Sequence, residues 1–444
     1  MHSAGVGEKP GEQWATVEEL CDRYLNGGRP SGQTLKMLKT VEEQRPEVRE
    51  FTERGFRLMS ISNFDARDVS PVVARFFAVM APAILPGAWG GMVPPITVPG
   101  RHKRIDEYLR KNAWANFDAG TVLLDVGCGF PPQTAMDAAG AFPDWQIVGV
   151  DPAFEDYLVY DENGNYASIS RTGERSGRLR YFQPAPQNFL ALFADRDATI
   201  RKFEEAFARL VADLPTDDGA LATAERDGTR LVRHPMRQYE RPNLRFEQAG
   251  FGSKDVPRAG VVRAFNVLLY YDADFRRMAE EWAANVLRPG GLFICGRDDA
   301  ASLNAHYTVS RNEGGRLVEK EFAFGVELVR QPAWYAVQEG DRETWRLAEL
   351  IGVLRSDREF MRDYDARLDA LLAEHKFSLR DENGCLIDHP DAGDPARQFP
   401  SYLAVTDAMQ AEFTDRAVVA LTQAGINAWR NPVGHVAVSP KRAA

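Results

Sequence analysis

An apolar run that ends in two closely spaced glycines constrains the fold of this chain more than any other feature. Residues 122–130 read Val-Leu-Leu-Asp-Val-Gly-Cys-Gly-Phe, and a second apolar run, residues 146–151, ends in Asp151. A helix-like stretch, residues 134–141, lies between the two runs. The pattern predicts a βαβ unit with a glycine turn after its first strand, and ligands of doubly wound sheets bind at that place.

The residues of the turn narrow the kind of ligand. Gly127 and Gly129 can adopt backbone angles that residues with a Cβ atom avoid, and they allow a ligand to approach the main chain closely. Asp151 stands where a carboxylate can accept two ribose hydroxyl groups. The dinucleotide fingerprint G-x-G-x-x-G is incomplete, because Pro131 and Pro132 follow almost at once.

These residues resemble the first two motifs of the class I S-adenosylmethionine-dependent methyltransferases. Asp125, Gly127, Gly129 and Asp151 match that pattern position by position, and the later Leu-Arg-Pro-Gly-Gly turn at residues 287–291 is similar to the family's turn before its fifth strand. The resemblance covers somewhat under half of the chain. It implies a methyltransferase that uses S-adenosyl-L-methionine. A Rossmann-like unit that holds another nucleotide, or none, is the alternative.

The resemblance also implies roles for individual residues of the turn. The main chain of Gly127, Cys128 and Gly129 is expected to pass under the ribose and methionine parts of the cofactor. Asp125 is expected to orient the turn or the amino group of the cofactor, and Asp151 to hold the ribose diol. The sequence thereby predicts a cofactor site that relies mainly on backbone contacts.

Three further residues are expected near the cofactor. Phe251, after the third strand, either stacks on the adenine or fills the core. The end of the fourth strand usually lines the methyl-transfer site in this family, which places Asn266 and Tyr270 there. For both Tyr270 and its neighbour Tyr271, packing against the flanking helix is the alternative.

A general base is needed only if the acceptor must lose a proton. His306, beyond the fifth strand, is the preferred candidate because neutral imidazole titrates near physiological pH. Its alternative role is that of a surface histidine at the edge of a hairpin. His102 and His234 are lesser candidates, so Tyr270 and His306 are the predicted catalytic residues.

Charge and composition bound the possible partners. The 444-residue chain carries a formal net charge of −10, which argues against general nucleic-acid binding. No apolar run approaches the roughly 20 residues of a membrane helix, and the N-terminus lacks the apolar core of a signal peptide. We expect a soluble, cytoplasmic protein with reduced cysteines. Histidines and carboxylates show no metal-ligand spacing, so no metal is implied.

The predicted fold class is α/β, a doubly wound and mostly parallel sheet with an antiparallel C-terminal strand pair. The core comprises residues 117–300 and 411–440. An N-terminal, mainly helical region, residues 1–116, forms either a cap over the cofactor or a surface for homodimerisation. Residues 155–242 and 301–410 are two insertions, the second consisting of a hairpin and helices.

Several local elements follow from turn residues and from periodicity. They are hairpins around Asn163-Gly164 and around residues 313–315, helices at 71–81, 101–114, 188–214, 275–287 and 413–424, strands at 243–248 and 260–270, strands at 426–430 and 435–438, and turn-rich segments at 85–96 and 381–400. Six arginines recur every three or four residues between Arg226 and Arg245. They form either a local anion site or a solvated surface.

Added helices around a common core are a frequent way to build a private pocket. We therefore expect the insertions to enclose a small-molecule acceptor. A protein side-chain methyltransferase and a binding module without catalytic activity are the two alternatives. A deep, closed pocket would favour the first expectation, and an open groove would favour a protein substrate.

Overall fold

The computed structural model describes residues 13–82, 98–170, 180–181, 195–217, 221–299, 301, 303–330, 336, 338–393 and 395–440. The turn-rich segment 85–96 and the first residues of the helix expected at 188–214 lie outside these ranges. Among the described residues, no helix combines the length and apolar character that crossing a membrane requires.

The strands are numbered here in chain order. They are β1 Val122–Val126, β2 Gln146–Val150, β3 Tyr157–Tyr160, β4 Tyr166–Ile169, β5 Arg180–Tyr181, β6 Ala222–Arg226, β7 Thr229–Arg233, β8 Leu244–Glu247, β9 Ala259–Phe265, β10 Leu287–Arg297, β11 His306–Glu313, β12 Arg316–Phe324, β13 Ser378–Arg380, β14 Leu386–Asp388, β15 Ala428–Arg430 and β16 Val436–Val438.

The helices are numbered in the same way. They are α1 Val17–Tyr24, α2 Gly32–Lys39, α3 Pro46–Ile61, α4 Pro71–Arg75, α5 Lys103–Lys111, α6 Gln133–Ala141, α7 Arg196–Leu210, α8 Ala273–Val286, α9 Arg342–Ser356, α10 Arg358–Glu374 and α11 Pro395–Gln423.

Nine of the described strands form one central sheet. Its order is β8, β2, β1, β9, β10, β11, β12, β16, β15. The first five strands are parallel, and the last four run antiparallel to their neighbours. This arrangement confirms the doubly wound, mostly parallel α/β sheet with an antiparallel C-terminal strand pair.

The hairpin of β11 and β12 differs from its predicted place. We expected it in the second insertion, whereas it lies inside the central sheet between β10 and β16. Every described residue of β10 from Leu292 to Arg297 pairs with β11. The hairpin therefore extends the core sheet, because an unpaired edge of β10 would leave backbone groups without partners.

Helices cover both faces of the parallel strands, which explains the apolar character of β9. All seven residues of β9 are buried. Val261 and Phe265 pack with α5 and α6 on one face. Val262 and Ala264 pack with α8 on the other face. A strand that is buried on both faces reads as a continuous apolar run, as this one does.

The strand ends earlier than the sequence suggests. We expected it to continue to Tyr270, but Asn266 has a φ of +58° and turns the chain away from the sheet. Residues Leu268–Tyr270 then form a short 3-10 turn. The apolar run alone does not reveal this boundary, since Leu268 and Leu269 are also buried.

The first insertion forms a second, antiparallel sheet with the order β5, β4, β3, β7, β6. Its β3–β4 hairpin turns at Asn163-Gly164, as predicted. Helix α7 covers this sheet, with Phe203 and Leu210 packed against Val159 and Leu231. The insertion therefore has a hydrophobic core of its own.

The N-terminal helices α1 to α4 form a separate cluster that reaches the core through Leu269 and Tyr270. A second link is ionic. The carboxylate of Asp68 accepts from Arg355 at 3.0 Å and from Arg380 at 2.7 Å. These contacts join the helical region to helix α9 and to the small β13–β14 hairpin.

Three predicted helices have different bounds. Helix α5 begins at Lys103 rather than at residue 101, so that Arg101 and His102 lie in the preceding turn. The helix expected at 71–81 changes after Arg75 into a π-helical turn, Phe76–Met80. Helix α11 begins at Pro395 rather than at residue 413.

The arginines between Arg226 and Arg245 do not form one surface. They are spread over the β6–β7 hairpin, a 3-10 turn and β8. Arg226 pairs with Asp213 at 3.1 Å, and Arg245 pairs with Glu247 at 3.0 Å. The guanidinium of Arg230 lies 4.3 Å from the ring centroid of Tyr160. These separate pairings favour the interpretation as a solvated surface.

Candidate active site

The chain adds strands to the sheet in opposite directions on the two sides of the β1–β9 pair. A cleft lies at the carboxyl ends of these two strands. The chain builds β2 and β8 on one side of β1, and β9 and β10 on the other. The cleft is lined by residues 125–129, by Thr134, by Phe265 and Asn266, and by Arg101 and His102. Such a reversal is the general ligand site of open α/β sheets.

The cleft is narrow: its cavity volume is about 20 Å³, well below the roughly 300–1,000 Å³ of small-molecule sites, so its walls must separate to admit a ligand. The sequence-predicted residues Asp125, Gly127, Cys128, Gly129 and Asn266 all line it. The structure thus brings most of the predicted cofactor residues together.

Both glycines of the turn occupy the left-handed region, with φ of +71° for Gly127 and +67° for Gly129. The N–H of Gly127 donates to the carbonyl of Val150 at 2.7 Å. A Cβ atom on Gly127 would overlap with the side chain of Val267. The turn therefore requires glycine at position 127 for both conformation and space.

Asp151 holds the turn from the end of the neighbouring strand. Its Oδ2 atom accepts the N–H of Gly129 at 3.1 Å, and its Oδ1 atom accepts the N–H of Ala153 at 2.8 Å. The residue is 8% exposed. These two bonds fix the carboxylate beside the glycine turn, and a carboxylate has about four acceptor positions in all.

Asp125 is held by a buried arginine that the sequence analysis did not single out. Its Oδ1 atom accepts from Arg263 Nε at 2.9 Å, and its Oδ2 atom accepts from Thr134 Oγ1 at 2.6 Å. Burial opposes the charge of Asp125, but the guanidinium of Arg263 outweighs burial and lowers the pKa of the carboxyl below its ordinary value. The carboxylate consequently stays ionised beneath the turn.

The opposite wall of the cleft carries a histidine–aspartate pair. His102 Nδ1 lies 2.8 Å from Asp298 Oδ2. His102 is 4% exposed and Asp298 is fully buried. Asp298 follows β10 as Asn266 follows β9, and the amide of Asn266 donates to the carbonyl and to the Oδ1 atom of Asp298 at 3.0 and 3.1 Å. Arg101 Nη2 donates to the same carbonyl at 3.0 Å.

This pairing fixes the histidine in an orientation suited to proton transfer. If Nδ1 carries the proton and donates it to Asp298, Nε2 is left as a basic atom. The hydrogen bond that the structure gives for the His102 ring involves Nδ1, not Nε2. A carboxylate that orients a histidine and stabilises its protonated form is a recurring arrangement around general bases.

Tyr270 lies beside the cleft rather than in its wall. It packs against the N-terminal helical cluster. Burial raises the pKa of its hydroxyl, and the guanidinium groups of Arg297 and Arg101 act in the opposite direction. Arg101 lines the cleft, whereas Tyr270 does not.

His306 does not line the cleft, which corrects the preference for it over His102. It begins β11 and pairs with Arg297 and Phe324 on the neighbouring strands. Its Nε2 atom lies 3.3 Å from Thr344 Oγ1. Burial and the nearby Arg297 lower its pKa to about 3, so the imidazole is neutral and a poor base.

The side chains of Phe251 and Cys128 have packing roles. Phe251 meets Phe275 and Trp282 edge-on, with ring centroids 6.1 and 5.4 Å apart, between the sheet and α8. Cys128 is buried, and burial raises the pKa of its thiol well above the ordinary value. The thiol is therefore not an activated nucleophile, although the main chain of Cys128 lies in the cleft wall.

No group of three histidine, cysteine or carboxylate side chains with metal-ligand geometry occurs in the described part of the chain. His102 was only a lesser candidate from the sequence, and Asp298 had no assigned role. A signal was present, because polar residues that follow two adjacent parallel strands meet at one edge of the sheet. The apolar character of β9 and β10 obscured where each strand ends.

No protein-family model matches the chain, and no curated protein matches it. Several solved structures are similar in part. The PKMT2 structure from Rickettsia typhi in complex with AdoHcy has 14% identity, covers 46% of this chain and 26% of its own, and gives a TM-score of 0.21. This chain thus corresponds to about a quarter of that protein.

Two further solved structures are O-methyltransferase family proteins. The family 2 protein from Planctomyces limnophilus, in complex with apigenin, has 14% identity, covers 60% of this chain and 47% of its own, and has a TM-score of 0.19. The protein from Burkholderia thailandensis has 11% identity, covers 60% and 52%, and has a TM-score of 0.19. Scores this low carry no conclusion about function.

Proposed function

We propose that this protein is an S-adenosylmethionine-dependent methyltransferase that acts on a small-molecule acceptor. One observation carries the proposal. The cleft at the strand reversal has a left-handed glycine turn, residues 127–129, held by Asp151 on one wall, and the His102–Asp298 pair on the other. A nucleoside site and a candidate base therefore face the same space.

The types of residue present suit the cofactor. Residues 127–129 and Asn266 line the cleft, and Asp151, which does not line it but is bonded to the N–H of Gly129, would offer carboxylate oxygens to a ribose diol. When bound, S-adenosylmethionine supplies an electrophilic methyl group on sulfur. The contribution of the chain is to hold and orient the reactants, because an aligned in-line displacement gains most of its rate from proximity.

His102 is the residue that we assign to proton transfer. Its Nε2 atom would accept the proton that an acceptor hydroxyl or ammonium group loses on methylation. Asp298 would stabilise the imidazolium that forms, through the 2.8 Å contact with Nδ1. Asn266 and Arg101 would hold Asp298 in place through their hydrogen bonds to it.

The burial of this pair supports a small acceptor. Asp298 is inaccessible and His102 is 4% exposed. An acceptor group must therefore enter the cleft to reach Nε2, which a small molecule does more readily than the surface of a folded protein.

The test is calorimetric titration of the protein with S-adenosylmethionine and S-adenosylhomocysteine. We expect micromolar binding to the wild type and a loss of at least about tenfold in Asp151→Ala, which removes the candidate diol acceptor. Asp144→Ala is the matched control, because Asp144 is an exposed aspartate at the opposite end of β2. Absence of binding by the folded wild type would overturn the cofactor assignment.

The acceptor class requires a second assay. Formation of S-adenosylhomocysteine would be measured with pools of small metabolites and, separately, with peptide pools. Turnover with small metabolites is the expected result. Turnover with peptides alone would overturn the small-molecule part of the proposal and leave the cofactor assignment intact.

A further inference from the structure

A second pocket lies on the same face of the sheet as α5. It is lined by three aromatic side chains, Tyr108, Trp114 and Trp429, by Glu321, and by Asn431. Its cavity volume is about 390 Å³. None of these residues lines the cleft between β1 and β9.

The ring of Tyr307 lies between this pocket and the cleft. The ring of Tyr307 lies 5.8 Å from that of Tyr108, on the pocket side, and 6.0 Å from that of Phe265, on the cleft side. Phe265 lines the cleft and Tyr108 lines the pocket. The two sites are therefore distinct.

The pocket contains a buried carboxylate beside a buried phenol. Glu321 is 1% exposed, and its Oε2 atom accepts from Trp114 Nε1 at 3.1 Å. The hydroxyl of Tyr108, which is fully buried, lies close enough to lower the pKa of Glu321, but no hydrogen bond of ordinary geometry joins it to the Oε1 atom. Imperfectly paired buried polar atoms cost stability, so a ligand that interacts with this carboxylate would be favoured.

A β-bulge places Glu321 on this face of the sheet. In the β11–β12 hairpin, Val309 pairs with Glu321 but Ser310 pairs with Glu319, so that Lys320 is an extra residue. One extra residue inverts the alternation of side chains. Glu319 consequently faces Arg346 of α9, while Glu321 faces Trp114 on the opposite side.

Burial acts against the charge of Glu321. It raises the pKa of the carboxyl above its ordinary value, although Trp114, Tyr108 and Asn431 act in the opposite direction. The cation in the wall, Arg430, is exposed and pairs with Asp415 at 3.1 Å, rather than with Glu321. A cation that enters the pocket would stabilise the ionised carboxylate.

We propose that this pocket binds an organic ammonium ion. Aromatic side chains attract such ions through their ring faces, and a methylated ammonium group suits them because it is weakly hydrated. Glu321 would supply the opposite charge, and Trp114, Trp429 and Tyr108 would supply aromatic surface. This site is independent of the proposed methyl transfer, since it shares no lining residue with the cleft.

The experiment uses choline as the probe and its uncharged carbon analogue, dimethylbutanol, as the ligand control. Binding would be titrated by saturation-transfer NMR at constant ionic strength. We expect saturable binding of choline, at least about tenfold tighter than binding of dimethylbutanol. Glu321→Gln, which is nearly isosteric, should weaken choline binding by at least about tenfold.

Two further variants complete the design. Trp429→Leu keeps an apolar side chain but removes the aromatic face, and it should also weaken choline binding. Glu313→Gln removes the same charge at the exposed end of the same hairpin, and it should leave binding unchanged. No choline binding by the wild type, equal binding of the two ligands, or binding unaffected by both Glu321→Gln and Trp429→Leu would overturn the proposal.

Discussion

Arg263 Nε lies 2.9 Å from Asp125 Oδ1, and both side chains are buried beneath the glycine turn. The same guanidinium donates to Asp106 at 2.6 Å and to the carbonyl of Thr134 at 3.0 Å. One side chain thereby connects β9 with β1, α5 and α6. The position of the glycine turn depends on this buried guanidinium. Water could take over its hydrogen bonds only if the sheet and the covering helices separated.

Replacement of Arg263 by Met should destabilise the protein strongly. It leaves Asp125 and Asp106 buried without their cation, and loss of one partner of a buried ion pair typically costs about 3–5 kcal/mol. The free energy of unfolding, measured by denaturant titration, checks this.

Arg277→Met is the matched control for this variant. Arg277 lies on the exposed face of α8 and pairs with Asp274, and both side chains are largely exposed. Surface pairs of this kind contribute little, so its stability should equal that of the wild type within error. Equal stability of all three proteins would contradict a structural role for Arg263.

Replacement of Gly127 by Ala should distort the turn. The backbone has a φ of +71°, and the added methyl would overlap with Val267. Gly120→Ala separates the two effects, because Gly120 has a φ of +80° but nothing within 4 Å of its added Cβ. Strain from positive φ costs on the order of 1 kcal/mol.

Gly127→Ala should therefore lose more stability than Gly120→Ala, and it alone should lose binding of S-adenosylhomocysteine. Thermal unfolding and calorimetry would measure the two properties. Retained binding by Gly127→Ala would show that the close approach of the main chain is not required.

Replacement of His102 by Gln should lower turnover without loss of cofactor binding. A positioned general base contributes roughly 10²- to 10⁴-fold, and Gln cannot accept the proton. Asp298→Asn should also lower turnover, because the carboxylate that orients the imidazole is removed. The two readouts are kcat and the dissociation constant of S-adenosylhomocysteine.

An unchanged kcat in His102→Gln would contradict the role of His102 in proton transfer. A variant that loses cofactor binding instead would indicate a structural role. His306→Gln is the comparison, since His306 lies outside the cleft wall and should leave kcat nearly unchanged.

Two buried histidines should make stability depend on pH in the acidic range. Burial lowers the pKa of His306 and of His435 from 6.5 to about 3, with Arg297 and Arg104 acting in the same direction. The unfolded chain then binds more protons than the folded chain below pH 6.5. The free energy of unfolding is therefore highest above that pH, as far as these histidines are concerned, and it falls as the pH falls towards 3.

Each histidine adds up to about 1.4 kcal/mol per pH unit within that window. The free energy of unfolding would be measured between about pH 4.5 and pH 7 for the wild type and for the double variant His306→Gln, His435→Gln. We expect a shallower slope for the double variant. A slope equal to that of the wild type would show that the two histidines do not titrate differently on unfolding.

Local patterns predicted much of the fold correctly. The βαβ unit, the hairpin at Asn163-Gly164 and the strand pair β15–β16 follow from turn residues and short apolar runs. These features depend on neighbours in the chain. The bounds of β9 and of α11 were wrong. Strand β9 ends early at Asn266, whose amide is bonded to Asp298 of a distant segment.

The residues of the candidate site show the same difference between local and long-range determinants. Asp125, Gly127, Gly129 and Asp151 could be identified because their spacing within one βαβ unit is the signal. His102 and Asp298 are separated by 196 positions, and no spacing rule joins them. The preference for His306 failed for the converse reason, since closeness in sequence to the fifth strand does not decide on which side of the sheet a side chain lies.

The order of residues along this chain thus specified the parallel core and the glycine turn, since both arise from short-range backbone preferences. Only the packing of the whole molecule decided which distant side chains meet. It buried Arg263 beneath the turn, paired His102 with Asp298, and turned Glu321 into an aromatic pocket through a bulge at Lys320. These contacts depend on strand register and on helix packing, to which residues far apart in the sequence contribute jointly.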